Sequence, residues 1–383
     1  MQLHGVRVLD ATGLSEPRSY EVAGVPGDDR SLEGVIVSPG WTDLHVHLRD
    51  PGFPQKETIA TGARAAAAGG FSQLVAMANT SPVTDDAALV RAQYERADSA
   101  PVRIAFAAAL TVGLQGRELT NAAALRAAGA VALSDDGRHA MDQATLRRGL
   151  EQAAQAGLPV FVHAQDERLG MSRSAENQAT AEVLETLAAV PEARLHLQHV
   201  STVEAVAMVA SARQDGLRVT AEVTPHHLTL TEEDARRTGP LAKVNPPLRT
   251  DADREALRHA LIDGVIDVIA TDHAPHELAV KTSWDQGAPG ISGLETALPV
   301  ILSLALPWPV VYRAFVAGPR AILGIPSADD VILIDPDREW RVDPEQFHSL
   351  GRNTPLDGRP MRGAVRMTIC RGRVVYGARV PVG

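Results

Sequence analysis

Residues 40–52 read GWTDLHVHLRDPG, an apolar run that gathers two histidines at its end and then turns at Asp-Pro-Gly. As a strand it puts His45 and His47 on one face, because side chains two apart on a β-strand point the same way. The turn after the run is equally informative. A doubly wound nucleotide-binding sheet would carry a glycine-rich phosphate turn after its first strand, and HVHLRDPG has none. Outward from this stretch, further apolar runs occur at 71–79, 102–110, 130–137, 159–166, 194–201, 217–227 and 267–276. Helical spacing fills intervals between them, at 141–156, 177–189, 202–214 and 251–263, with Gly129, Gly157 and Gly216 placed as helix stops. Strand-then-helix units repeated in this way predict an α/β architecture, a (β/α)8 TIM barrel over residues 39–323.

The two ends read differently. MQLHGVRVLDATG at the start, and DDVILIDPD, WRVDP and RGAVRMTICRGRVVYG near the end, are short strand patterns broken by Gly, Pro and Asp. Each end alone has too few strands for a core. Residues 1–38 with 324–383 are therefore predicted to pair into one small β-sandwich domain.

Composition narrows the function. The chain has 383 residues, 45% apolar and 22% charged, with a net charge of −10 that argues against non-specific nucleic-acid binding. No stretch approaches the ~18 apolar residues of a membrane span, and nothing near Met1 reads as a signal peptide. The one cysteine, Cys370, permits no intrachain disulfide and no cysteine-based zinc site, so a reducing cytoplasm is expected. Lysine occurs only at Lys56, Lys243 and Lys281.

In barrel enzymes the chemistry sits at the C-terminal ends of the strands. Here those ends carry His45 and His47, Asn79, Asp136, His163, His199 and Asp272. A lone His-x-His pair is weak evidence, since two histidines can simply be satisfied by backbone groups. Four imidazoles and two carboxylates on one rim would be an electrostatic problem without cations, and they suit a pair of Zn²⁺ ions. Arg49 alone would read as a surface ion pair; its place just after His47 makes it a carboxylate clamp. His226 and His227 are read as supporting rather than ligating, and His139, His196 and His273 as structural. Cys370 is expected to be a packed strand residue.

The motifs DLHVHLRDPG, SDDG, LQHVST, KVNPPLR and IDVIATDHAPH, followed by GLETALP, resemble the dihydroorotase family of the amidohydrolase superfamily. The closing NTPLDGRPMRGAVRMTICRGRVVYG is similar to that family's last β-segment. The resemblance implies a hydrolase that reversibly opens the cyclic amide of (S)-dihydroorotate to N-carbamoyl-L-aspartate, in pyrimidine (UMP) biosynthesis. It implies two zinc ions, one held by His45, His47 and Asp272 and the other by His163 and His199. Many superfamily members bridge the ions with a carbamylated lysine on the fourth strand, where this chain has no lysine. Resemblance to the aspartate-using bacterial branch puts the bridge at Asp136, with Asp135 as second choice. Asp272 is then both ligand and proton carrier. Arg49, Asn79, Asn245 and His276 are implied to bind the substrate beside His47, with backbone groups near Pro289 and Gly290 reading its amide edge. That loop reads APGISG, lacking the phenylalanine the family carries between Pro and Gly, and the segment between His163 and His199 is shorter than the family's. A homo-oligomer is expected, with a complex with aspartate transcarbamoylase as a further possibility. Two other readings stand beside this one: a hydantoinase or allantoinase, against which Arg49 and NPPLR argue, and an inactive scaffold for aspartate transcarbamoylase, against which the retained histidines argue.

Overall fold

The computed structural model describes residues 1–23, 25, 30–138, 141–326 and 328–377. His139, and the last six residues of the predicted terminal domain, lie outside the described residues.

The chain begins with short strands, β1 (Gln2–Asp10), β2 (Gly13–Leu14), β3 (Arg18–Glu21), β4 (Arg30–Ser31) and β5 (Ile36–Pro39). The barrel strands come next: β6 (Trp41–Val46), β7 (Phe71–Ala76), β8 (Arg103–Ala108), β9 (Ala132–Ser134), β10 (Val160–Val162), β11 (Leu195–Leu197), β12 (Val219–Val223) and β13 (Val268–Ile269). Each lies inside one of the apolar runs, and all pair in parallel, in chain order. Between the first and last strands a parallel bridge from Val46 to His273 closes the ring, with the His47 N–H donating to the His273 carbonyl at 2.8 Å. The Asp43 carboxylate reinforces this seam, accepting from the Thr271 N–H at 3.1 Å and from its hydroxyl at 2.6 Å.

Helices fill the connections because their starts are capped by local side chains. Thr58, Asp86, Asn121, Asp142, Ser172, Thr202 and Thr250 each accept a hydrogen bond from a first-turn N–H. Ser172 makes the helix expected at 177–189 start earlier, at Arg173. The run 217–227 is shorter as a strand than expected: Thr224 caps and Pro225 opens a short helix, Pro225–Thr229, which carries His226 and His227.

Strand alternation divides the apolar side chains between two cores. Leu74, Ala76, Ile104 and Phe106 pack in the main cluster with the helices, whereas Val75, Met77, Ala105, Ala107 and Phe161 form a second one. The Gln198 amide touches both Met77 Sδ, at 3.5 Å, and His45, so this second cluster fills the barrel beneath the histidines. Three of the few aromatics gather where β6 and β7 begin: Trp41 stacks on Phe315 at 4.2 Å, and Phe71 meets both edge-on.

After the barrel, β14 (Val331–Arg341), β15 (Pro360–Cys370) and β16 (Arg373–Gly377) return to the beginning of the chain. β14 pairs antiparallel with β5, giving a second eight-stranded sheet drawn from both ends. β1 is its shared member: its first half pairs with β3 and β4, its second half with β5 and β2. Leu3, Val6, Val35, Val37, Leu333 and Ile369 fill the core between these halves. Cys370, on β15, is buried with its thiol toward the Ser72 carbonyl of β7, 3.7 Å away. Among the described residues no helix is long and apolar enough to cross a membrane.

Candidate active site

The fold brings the rim residues to one place. His45 lies in β6 and His47 just after it, while Asp136, His163, His199 and Asp272 come just after the ends of β9, β10, β11 and β13. Two groups form around one carboxylate. The donor atoms of His45, His47 and Asp136 lie within 4.8 Å of one another, and so do those of Asp136, His163 and His199. Asp136 Oδ1 stands 3.3 Å from His45 Nε2, 3.8 Å from His163 Nδ1 and 4.0 Å from His199 Nε2, and its Oδ2 is 3.5 Å from His47 Nε2. Asp272 joins the first group, with Oδ1 3.0 Å from His47 Nε2 and 3.5 Å from His45 Nε2. Asp135 turns the other way. It accepts from the Leu110 and Thr111 N–H groups, at 2.8 and 2.9 Å, and from the Thr111 hydroxyl.

Burial and charge act against each other here. Burial pushes the His45 imidazole down, but Asp136, Glu222 and Asp272 hold its pKa well above the ordinary value. Burial would raise Asp136, yet His45, His47 and His163 hold it well below the carboxylate range. His199 is pushed down to about 3 by burial and by His163 and His45, and its Nε2 lies 2.7 Å from His163 Nδ1. Buried, converging imidazoles and ionised carboxylates are the donor set that a divalent cation of the zinc type requires, and such a cation would displace the proton that the carboxylates hold on His45. The residues fit such a metal. Arg49, His199 and Asp272 also have positive φ (58°, 32° and 46°), a conformation that costs of order 1–3 kcal/mol per residue and that clusters at active sites.

Above these groups opens a cavity of about 230 Å³. Its walls include His47, Arg49, Asn79, Asp136, His163, His199, Asn245, Asp272, His276, Pro289 and Gly290, so the rim and the candidate substrate residues share one space. Arg49 Nε, Asn245 Oδ1 and His276 Nδ1 are buried with no hydrogen-bond partner in the protein. Asn79 is largely spent on the rim itself, its Oδ1 3.0 Å from His47 Nδ1 and its amide donating to Asp136 at 3.4 Å. Gly290 corrects one expectation. Its N–H donates to the Lys243 carbonyl at 2.9 Å, and its own carbonyl accepts from Lys281 and Asn353, both at 2.9 Å. The backbone of Gly290 is therefore not free to read an amide edge; it forms wall. Its φ of 135° and the 2.7 Å that a Cβ would leave to Ala274 restrict this wall to glycine.

Sequence reasoning missed three supporting residues. Glu222 on β12 is fully buried and accepts from His45 Nδ1 at 2.6 Å, His196 Nε2 at 3.1 Å and the His199 N–H at 3.1 Å. Gln198 contacts His45 beside it, and Gln165 Oε1 lies 2.7 Å from His163 Nε2. The signal for Glu222 was present: a lone acidic residue in the apolar run RVTAEV. Of the histidines read as supporting or structural, His227 is held by Thr224 and the Pro246 carbonyl, at 2.8 and 3.0 Å, and His196 by Thr220 and Glu222. His273 bonds to Glu57 at 3.2 Å, and His226 is buried with Nε2 unpartnered.

A (β/α)8 barrel with paired His/Asp groups at its C-terminal mouth defines the class: a metal-dependent barrel hydrolase. Residues 34–212 match the family model described as dihydro-orotase-like. The chain is 45% identical to a dihydroorotase of Anaeromyxobacter dehalogenans, over 98% of this chain and 97% of that one. It is 40% identical to a dihydroorotase of Thermus aquaticus, over 98% and 99%. Among solved structures it is similar to the L-hydantoinase (dihydropyrimidinase) of Arthrobacter aurescens, with a TM-score of 0.88 and 24% identity over 100% of this chain and 97% of that one. The chain belongs to the dihydroorotase family.

Proposed function

We propose that this chain hydrolyses the cyclic amide of (S)-dihydroorotate, reversibly, to N-carbamoyl-L-aspartate. The observation that carries the reading is a buried arginine, Arg49, facing the same cavity as the His/Asp groups, with its Nε unpartnered. Asp272, Asp136 and Glu57 already supply negative charge near that guanidinium, but a neutral ring would offer it no two-oxygen acceptor. A ring bearing a carboxylate supplies one, in the fork geometry that arginine prefers.

His45, His47 and Asp272 would hold one Zn²⁺, and His163 and His199 a second, with Asp136 between them. Zinc, when bound, supplies Lewis acidity toward water and a carbonyl oxygen. The chain's own residues do the rest. Arg49 pairs with the substrate carboxylate and fixes the ring. Asn245 and His276 offer their unpartnered atoms to the ring's amide groups, while Asn79 chiefly orients His47. Asp272 is ionised, because His45 and His47 hold its pKa down against burial. It takes one proton of the attacking water and returns it to the ring nitrogen as the C–N bond breaks; one water is consumed, one carboxylate and one ureido N–H are formed, and the water's second proton is released to solvent. Residues 39–323 carry this chemistry, with 1–38 and 324–383 as a separate domain. A cytoplasmic homo-oligomer, able to associate with aspartate transcarbamoylase, belongs to the same proposal; size-exclusion chromatography with and without that partner tests it.

Steady-state kinetics with metal content measured alongside test the reaction. Wild type hydrolyses dihydroorotate, and Asp272→Ala abolishes turnover even where metal remains. Arg49→Ala keeps its metal and loses about 30-fold to several-thousand-fold in kcat/KM, the effect of removing a bidentate charged contact. Arg49→Lys recovers part. Near-wild-type kcat/KM in Arg49→Ala overturns the carboxylate clamp.

A further inference from the structure

The cavity wall at Ala274, His276 and Gly290 is held from behind by a residue that belongs to neither the barrel strands nor their helices. Asn353 lies in the connection between β14 and β15, within the terminal sheet, and is fully buried. Its Oδ1 accepts from the His276 N–H and from the Ser292 hydroxyl, both at 2.8 Å. Its Nδ2 donates to the carbonyls of Ala274, at 3.0 Å, and Gly290, at 2.9 Å. Its own carbonyl accepts from the Ser292 N–H at 2.9 Å. Every hydrogen-bonding capacity of the side-chain amide is used, two as acceptor and two as donor, and only a carboxamide offers that pattern.

A second group shares the load. Lys281 is buried, and its ammonium donates to the carbonyls of Lys243 at 2.9 Å, Ala288 at 3.0 Å and Gly290 at 2.9 Å. It thereby ties the segment leading to Asn245 to the loop carrying Pro289 and Gly290. Close approach of the backbone makes the arrangement stiff. At Gly351 a Cβ would fall 2.2 Å from Ser292 Oγ and 2.5 Å from the Pro275 side chain, so the segment carrying Asn353 lies directly against the wall it supports.

We propose that Asn353, assisted by Lys281, is a positioning residue for substrate: it sets the His276 and Gly290 wall so that the ring is presented to the metal groups, and it makes the terminal sheet part of the substrate site. This rests on the hydrolase reading above. Neither side chain lines the cavity, so each acts through the wall.

The test compares wild type, Asn353→Asp and Lys281→Met by steady-state kinetics on dihydroorotate, with metal content, melting temperature and hydrogen–deuterium exchange of 274–292. Asn353→Asp keeps the volume and both acceptors but removes both donors. The expected result is wild-type metal content, faster exchange confined to 274–292, and a fall in kcat/KM of about 10- to 100-fold, the range for a small misplacement remote from the chemistry, expressed mainly in KM. Lys281→Met, which does not touch His276, moves KM in the same direction by less and reports even where Asn353→Asp fails to fold. Variants that lose only melting temperature, with kcat and KM within twofold of wild type per metal-loaded protein, overturn the proposal. If wild type itself does not hydrolyse dihydroorotate, the hydrolase reading fails, whereas unchanged exchange of 274–292 in Asn353→Asp fails the brace.

Discussion

Glu222 offers the sharpest test of how the metal groups are held. It is fully buried, and burial would raise its pKa, but His45 and His196 bring it down to about 2, so its charge is present at neutral pH. One oxygen accepts from both His45 Nδ1 and the His199 N–H; the other accepts from His196. These contacts fix the tautomer of His45, leaving Nε2 free to face Asp136, and pin the backbone that presents His199. Glu222→Gln keeps the volume and removes the charge; His196 accommodates the new amide by switching its ring proton from Nε2 to Nδ1. Glu222→Ala also takes the acceptor from three buried donors, His45 Nδ1, His196 Nε2 and the His199 N–H, each a loss of about 1–3 kcal/mol where no other acceptor replaces it. Removing a group that orients metal-binding histidines lowers metal affinity by about 10- to 100-fold, and we place the glutamine variant near the lower figure and the alanine variant near the upper. Competition of the folded variants against a chromophoric zinc chelator measures this directly. An alanine variant with a wild-type circular dichroism spectrum and zinc affinity within twofold of wild type would refute the reasoning.

Three further outcomes rest on side-chain placement. Metal uptake by the stripped protein should be independent of bicarbonate, because no lysine is available as a carbamate bridge: Lys56 lies over the Phe53 ring, Lys243 donates to Trp284, and Lys281 is caged by carbonyls. Asp136→Asn should lose metal while Asp135→Asn keeps it and lowers the melting temperature; the reverse pattern, by metal analysis and calorimetry, contradicts the bridge. Cys370 is 1% exposed, and burial, with Asp330 nearby, pushes its thiol up to about 11. At pH 8 only about one thiol in a thousand is then ionised, so Ellman's reagent should label it only when the chain unfolds; rapid labelling of native protein would show that the terminal sheet opens.

The barrel was legible because each strand lies in a compact apolar run and because helical spacing, closed by Gly129, Gly157 and Gly216, fills intervals between them. The rim was legible for a related reason: His45, His47, His163 and His199 interrupt apolar runs where strands end. Asp135 and Asp136 mark the limit. β9 stops at Ser134, so strand alternation no longer governs the pair, and the choice is made by N–H groups on the loop after β8, at Leu110 and Thr111. Glu222 was readable as an inward carboxylate and was passed over, since a single acidic residue carries little weight without its partners in view. Asn353 and the spent backbone of Gly290 were not readable at all. The Asn353 amide bonds to main-chain groups 63 to 79 residues away and to the Ser292 hydroxyl, and Gly290 is held by Lys243, Lys281 and Asn353; neither arrangement leaves a side-chain pattern behind.

The seam where β6 meets the segment after β13 has a consequence for how the protein comes into being. Asp43 clasps Thr271 there, and the donors closest to that clasp, His45, His47 and Asp272, come from the first and last strands of the ring. A ribosome delivers those residues more than two hundred positions apart. Until the final strand emerges, a growing chain can gather Asp136, His163 and His199, but it lacks Asp272 and the partner that shuts the ring. Full metal loading would therefore require that synthesis has passed Asp272, and a chain terminated before that point would lack both this carboxylate and the partner that shuts the ring.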